Sequence, residues 1–240
     1  MKDTDIAREI AQRNGLKFDG DDSQSIEHDV IYQKNLDEAQ FLLERARRIE
    51  FDCFVSVDGG KGKGTLHFKR PRDGRDGKKT RVYELEWGRS LTSFAPTLSA
   101  DKQVSKVTVR GWDPRTKDPI VAVASADDLP PSSRPSSTSG PKLAQQKFND
   151  RQNLIVDRPV TSKQEARELA LSILRERATR FSTGRGQTIG IPELVPGDKV
   201  DLKGLGERFS GEYLVRKVEH TIGSAGFSTS FDVDSPHSGA

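Results

Sequence analysis

The side chains able to do chemistry are few and scattered. His28, His67, His220 and His237 are the four histidines, and no two stand at HxH or HxxxH spacing, so no metal pair is expected. Cys53 is the single cysteine, which excludes a disulfide framework or a thiolate cluster within one chain. It falls on the apolar side of an alternating pattern, the setting of a core thiol rather than of a nucleophile. The acid pairs Glu84/Glu86 and Asp198/Asp201 fall on strand or turn patterns that read as exposed, with no third group to shift either pKa. Ser, His and Asp occur without a GxSxG elbow to bring them together. His220 closes a strand pattern and reads as a packing or hydrogen-bonding residue. No active site is expected, and no catalytic, metal or cofactor-binding residue is assigned.

The glycine-rich stretches fail as phosphate loops. Lys61-Gly62-Lys63-Gly64-Thr65 lacks the Walker spacing and leads into the strand-like Leu66-His67-Phe68, so it reads as a hairpin turn. Gly184-Arg185-Gly186 lacks the third glycine of a dinucleotide fingerprint and precedes a strand pattern. The run from Lys69 to Arg81 holds seven basic residues but also Asp73, Asp76 and interleaved glycines, with no aromatic stacking groups. It reads as a solvated hairpin tip rather than a nucleic-acid contact.

Composition supports this. Charged residues make up 31% of the 240 and AVILMFWYC residues 32%, a lean core under a wide charged surface. The net charge of +3 is too balanced to argue for nucleic acid from the whole chain. No stretch approaches the ~20 apolar residues of a membrane span, and the opening Met1-Lys2-Asp3-Thr4-Asp5 has no apolar signal region, so no membrane anchor is expected.

The elements divide the chain into five parts. Residues 1–50 read as two short helices, the first capped by Asp3 or Thr4 and stopped at Gly15, the second running from an Asn35 cap to Ile49. Residues 51–125 read as a small antiparallel β domain, with strands from Phe51, Thr65, Arg81, Val104 and Ile120. Residues 126–160 read as a linker or exposed excursion, because 129–142 holds four prolines and five serines. Residues 161–234 open with a capping box, Ser162 to Glu165, and a helix carrying the stripe Ala166, Leu169, Ala170, Ile173, Leu174, Ala178 and Phe181, stopped at Gly184 and Gly186. Strands at 188–191, 199–203 and 211–220 follow, then Phe227, Thr229, Phe231 and Val233 in strict alternation. Residues 235–240 read as a frayed tail. The fold class is α+β, mainly β.

Three stretches resemble a known family. They are Val30-Ile31-Tyr32-Gln33 followed by residues 35–46; Trp87-Gly88-Arg89-Ser90-Leu91 with Phe94, continued by Val104 to Gly111-Trp112-Asp113; and a run from Gly190-Ile191-Pro192 through Gly197, Gly204, Gly206, Gly211, Tyr213 and His220 to Ser228-Thr229-Ser230-Phe231. Together they are similar to the late control D family of phage tail proteins, the baseplate hub family shared with type VI secretion spikes and contractile injection particles. The resemblance covers roughly 5–125 and 161–234.

That resemblance implies two small β-barrel-like domains, the first incomplete in this chain because members carry further residues ahead of it. It implies a structural protein of virion assembly, a homotrimer joining the tail tube protein to the spike protein, located in the baseplate of a virion or tail-like particle and assembled in the bacterial cytoplasm. The residues implied to carry the assembly motif are Trp87, Gly111, Trp112, Gly190, Pro192, Gly197, Gly204, Gly206, Gly211, Tyr213 and His220. Two other functions are weighed beside it: a hub-associated peptidoglycan-degrading enzyme, testable by zymogram, and an OB-like nucleic-acid-binding module, testable by salt-dependent filter binding.

Overall fold

The computed structural model describes residues 1–22, 26–57, 62–71, 80–113, 115–129, 138–147, 151–224 and 226–238. The Gly59-Gly60 break, the centre of the basic loop and most of the Pro/Ser-rich run lie outside the described residues. The elements in order are α1 (Asp3–Arg13), β1 (Lys17–Gly20), α2 (Glu38–Arg48), β2 (Asp52–Ser56), β3 (Thr65–Lys69), β4 (Val82–Glu86), β5 (Leu91–Leu98), β6 (Lys106–Asp113), β7 (Asp118–Ser125), α3 (Gly140–Lys147), β8 (Gln152–Ile155), α4 (Lys163–Thr179), β9 (Ser182–Ile189), β10 (Lys199–Lys203), α5 (Gly206–Phe209), β11 (Gly211–Gly223) and β12 (Gly226–Ser235).

Local chemistry explains the helices. In α1 the residues Ala7, Ile10 and Ala11 are buried, Asp3 and Asp5 face the positive end of the helix dipole, and Gly15 follows at φ +67°. The cap position of α1 is Lys2, one residue ahead of the expected Asp3 or Thr4, which are themselves helical and buried. α2 starts later than its apolar spacing suggests. Asp37 is its cap, accepting the Gln40 N–H at 2.7 Å, while Asn35 lies outside in a left-handed turn at φ +59°. α4 begins as its capping box requires: Ser162 Oγ accepts the Glu165 N–H at 3.1 Å, and Glu165 Oε2 accepts the Thr161 N–H at 2.8 Å.

The strands form three sheets around three separate apolar cores. The first sheet, ordered β1-β3-β2, packs Leu66 and Phe68 against Ala7, Ala11, Phe41, Leu42 and Ala46 of α1 and α2. The second, ordered β7-β6-β8, lays Val107, Val109, Ile120, Ala122 and Ala124 on the buried stripe of α4. The third and largest, ordered β4-β10-β11-β12-β9-β5, curls into a half-barrel around Leu85, Leu91, Leu194, Val200, Leu202, Tyr213, Val215, Phe231 and Val233. The mainly β, α+β class stands, with this half-barrel as its barrel-like element.

Four expectations need correction. The strands of 51–125 do not make one antiparallel sheet. β2 and β3 join the first sheet, β6 and β7 the second, and β4 and β5 become the two margins of the half-barrel, β4 pairing in parallel with β10. Residues 126–160 are not all linker, since they contain α3 and β8, and β8 pairs in parallel with β6. Gly184 and Gly186 do not stop α4, which ends at Thr179. They lie inside β9, where aromatic rings occupy the space a side chain would need. The tail is held as far as Ser238: Ser139 bridges His237, and the Ser238 N–H donates to Thr138 O at 3.1 Å.

Candidate functional site

The motif residues fall mostly on the half-barrel. Gly204 and Gly206 bracket the turn from β10 into α5 at φ +78° and +75°, a region that costs other residues strain. A Cβ on Gly204 would sit 3.2 Å from Trp87 Cβ, and the Trp87 N–H donates to Lys203 O at 3.0 Å, so this turn seats the end of β4 against the end of β10. The Trp87 indole itself is 49% exposed. Gly211, at φ +144°, starts β11. Two residues on, the buried Tyr213 donates its hydroxyl to Phe209 O at 3.0 Å and sets its ring edge-on to Phe94 at 5.8 Å, tying the α5 corner to the core.

Gly190, Pro192 and Gly197 shape the connection from β9 to β10. Gly190 donates its N–H to Phe227 O at 3.0 Å and lies under the Phe227 ring, leaving no room for a Cβ. Pro192 is exposed in the following turn, and Gly197, at φ +95°, donates to Val215 O at 2.9 Å. Asp198, expected to be exposed, is buried and accepts the Val195 N–H at 3.2 Å. His220 lies within β11 rather than at its end. Its Nδ1 is 3.0 Å from Thr229 Oγ1, which also accepts the Ile191 N–H at 3.0 Å. Gly111 and Trp112 belong elsewhere, on β6: Gly111 is backed by Val160, and Trp112 is 57% exposed opposite Pro119.

The outward side of the half-barrel is ionic. Arg185 reaches Glu219 at 3.9 Å and Asp232 at 3.7 Å, Lys203 meets Glu84 at 2.5 Å, and Arg216 meets Asp234 at 2.6 Å. The hydrogen bond to Glu84 raises the Lys203 pKa. Burial raises the Asp234 pKa against the opposing pull of Arg216.

Two polar clusters escaped sequence reasoning because their members meet only through the fold. On the first sheet, Ser56 Oγ is 2.7 Å from His67 Nε2, and His67 Nδ1 is 2.7 Å from Asp19 Oδ2. This is the connectivity of a hydrolase triad, spread over β2, β3 and β1. The carboxylate, however, is shared with the Lys69 ammonium, whose hydrogen bond is the leading cause holding the Asp19 pKa low, and Phe54 stacks on the imidazole at 4.5 Å. Such a network ties three strands together. Between α2 and α4, the buried Arg48 donates from Nη2 to Oε1 of the buried Glu165 at 2.9 Å and to Pro159 O at 2.7 Å. His28 stands 3.3 Å from Asp3, which Arg45 also holds at 2.5 Å. This cluster joins the N-terminal unit to the middle one. The paired histidine, carboxylates and arginines have a structural signal in sequence only as cations in the last turn of α2.

Cys53 is half-buried beside the first core, and burial pushes its thiol up to about 11. Among the described residues, no group of three His, Cys, Asp or Glu side chains is placed to hold a metal ion, and no helix is long and apolar enough to cross a membrane.

The family model described as the Alg8 N-terminal domain matches residues 1–224. No curated protein sequence matches the chain. Among solved structures, the chain is similar to the tail protein from Neisseria meningitidis (TM-score 0.68, 12% identity, 98% of this chain) and to the 43 kDa tail protein of prophage MuSo2 from Shewanella oneidensis (TM-score 0.65, 15% identity, 97% of this chain). A third is an E. coli component of the type VI secretion system described as structurally similar to T4 bacteriophage tail proteins (TM-score 0.54, 10% identity, 95% of this chain). The chain spans 67%, 63% and 46% of those three proteins respectively. At these identities the likeness is one of fold.

Proposed function

The chain belongs to the Alg8 N-terminal domain family, and from its fold likeness to tail proteins we propose that it is a structural hub protein of a contractile phage tail or tail-like injection particle. In this reading it trimerises in the baseplate and joins the tail tube to the spike, after assembly in the bacterial cytoplasm. The observation that carries the proposal is the extent of the fold match: 98% and 97% of the chain superpose on two phage-type tail proteins, so the whole chain, and not one common module, has the tail-protein fold. The late control D resemblance in the glycine, Tyr213 and His220 run belongs to the same reading.

The role is architectural. The residues that the motif singles out set turns and hold strands, and the polar networks bridge strands and units. Self-assembly also fits the core structure, since three small cores with ionic junctions bury less apolar surface than one large core would. The test is localisation. Gold-labelled antibody against this chain, applied to purified particles, should mark the junction of tube and spike, and deleting the gene should leave particles without that junction. Label spread along the tube, or particles complete without the chain, would refute the role.

A further inference from the structure

The two edges of the first sheet are not alike. β1, at one margin, is four residues long and carries Lys17 and Asp19, and short charged strands resist further pairing. β2, at the other, is Asp52-Cys53-Phe54-Val55-Ser56, with one charge at its start and neither Pro nor Gly. Phe54 and Val55 are 50% and 52% exposed. Among the described strands only β3 lies beside it.

The ladder decides which backbone groups that edge presents. The Lys17 N–H donates to Gly64 O at 2.9 Å and the Asp21 N–H to Phe68 O at 3.2 Å, so Leu66 and Phe68 of β3 turn their backbone groups toward β1. Thr65, His67 and Lys69 then face β2 and bond their register partners Ser56, Phe54 and Asp52. The N–H and C=O of Cys53 and Val55 are left pointing out of the sheet edge. Their side chains share the core face with Phe68 and Leu66, while Phe54 lies on the outward face against His67.

We infer that this edge pairs with the same edge of a second copy, antiparallel, about a twofold axis at Phe54. In that register Cys53 stands opposite Val55 of the second copy and Val55 opposite its Cys53. Every free N–H and C=O of these residues then finds a partner across the junction, and core face continues core face. The two Phe54 rings meet on the outward face as a non-hydrogen-bonded pair, where opposed side chains come closest, and Asp52 meets Ser56 rather than a like charge. Other registers fit less well. Setting Cys53 against Cys53 needs the Phe51 N–H, which already donates to Ala46 O at 2.9 Å, and puts Phe54 against Asp52. Sliding the other way puts Phe54 against Ser56 and runs past the end of β2. A twofold contact does not close the threefold ring proposed above. It goes beyond that reading and describes the chain before it meets tube and spike, with its bare apolar edge covered.

The test is sedimentation velocity of the full chain alone over a concentration series. The wild type should pass from monomer to dimer. Val55→Pro removes an outward N–H and no bond to β3, and Phe54→Lys sets two ammonium groups at the axis. Each should weaken dimerisation at least about tenfold, with far-ultraviolet circular dichroism unchanged. Phe54→Cys in a Cys53→Ser chain should form disulfide-linked dimers on mild oxidation, since the opposed Cα atoms of such a pair stand about 4.5 Å apart. The wild type should not, because its two Cys53 residues are diagonal neighbours about 7–8 Å apart. A wild type that stays monomeric overturns the pairing, as do dimers that survive both substitutions and give no cross-link through Phe54→Cys. A chain that is trimeric by itself and indifferent to all these changes overturns the pairing and leaves the hub reading standing.

Discussion

Gly186 of β9 lies beneath the ring of Phe231, its register partner on β12, and a Cβ on Gly186 would collide with that ring. Gly184, two residues back, lies under the Phe94 ring, although its register partner on β5 is Pro96. The glycines are the floor on which the largest side chains of the half-barrel lie, and each ring covers backbone that glycine would otherwise expose. Gly186→Ala should therefore overpack the core and destabilise the chain by about 1–3 kcal/mol. Gly223→Ala, with nothing within 4 Å of the added carbon, should stay within about 0.5 kcal/mol of wild type. Urea midpoints compare them. Equal midpoints would mean that the rings shift freely and the floor is not rigid.

The ion pair of Arg48 with Glu165 is buried on both sides, so its halves are unequal to the pair. Arg48→Met should leave the buried Glu165 carboxylate without its guanidinium, with only His28 Nδ1 at 3.9 Å beside that oxygen, at a cost of about 3–5 kcal/mol. Adding Glu165→Leu should return much of that loss, because the apolar pair no longer strands a charge. A double variant no more stable than the single would show that Thr161 and Pro159, not the charge, set the energy of the junction.

What could be read from the chain itself was whatever is local. α4 shows its cap at Ser162, its stripe and its length within one continuous segment, and β10 matches its expected span of 199–203. Partner choice is not local. The alternation in Val82–Glu86 marks a strand but contains nothing that selects β10, and the parallel pairing moves β4 from the domain where its neighbours in sequence suggested it belongs. Gly184 and Gly186 were ambiguous for a physical reason, since a glycine after a helix and a glycine under an aromatic ring look alike until the ring is placed. The Ser56–His67–Asp19 relay likewise exists only once β1 lies beside β3.

Two carboxylates should give opposite pH signatures. Asp19 has a depressed pKa in the fold, chiefly from Lys69, so its contribution is present above the unfolded value and is lost as pH falls through the lower, folded one. Asp234 has a raised pKa from burial, so its contribution is present below the model-peptide value of 3.8 and is lost as pH rises through the folded one. Asp19→Asn should flatten the loss of stability below about pH 4, and Asp234→Asn should flatten the loss on the rising side. Urea midpoints measured against pH would contradict this if both variants changed the same limb.

The relay on the first sheet should hold strands rather than cleave esters. A fluorophosphonate probe should leave Ser56 unlabelled, because the Asp19 carboxylate that would support an imidazolium on His67 is already engaged by Lys69. His67→Ala should still weaken the sheet by about 1–3 kcal/mol, through the lost partners of Ser56 and Asp19 and the lost stacking on Phe54. Labelling of wild type that disappears in Ser56→Ala would establish a nucleophile and count against a purely architectural chain.

Cys53 offers a probe of the N-terminal unit. Its thiol is raised to about 11 by burial first and by the neighbouring Asp52 charge second. At pH 8 only about one thiol in a thousand is then ionised, against about one in four for an ordinary cysteine. Alkylation of the folded chain should consequently run at least about tenfold slower than that of the urea-unfolded chain at the same pH. The difference should narrow when Phe68→Ala loosens the core beside the thiol, since the lost packing costs about 3–5 kcal/mol and raises the population of opened chain. A folded wild type that alkylates as fast as the unfolded chain would mean that the first sheet opens on the timescale of the reaction, and that its core does not shield Cys53.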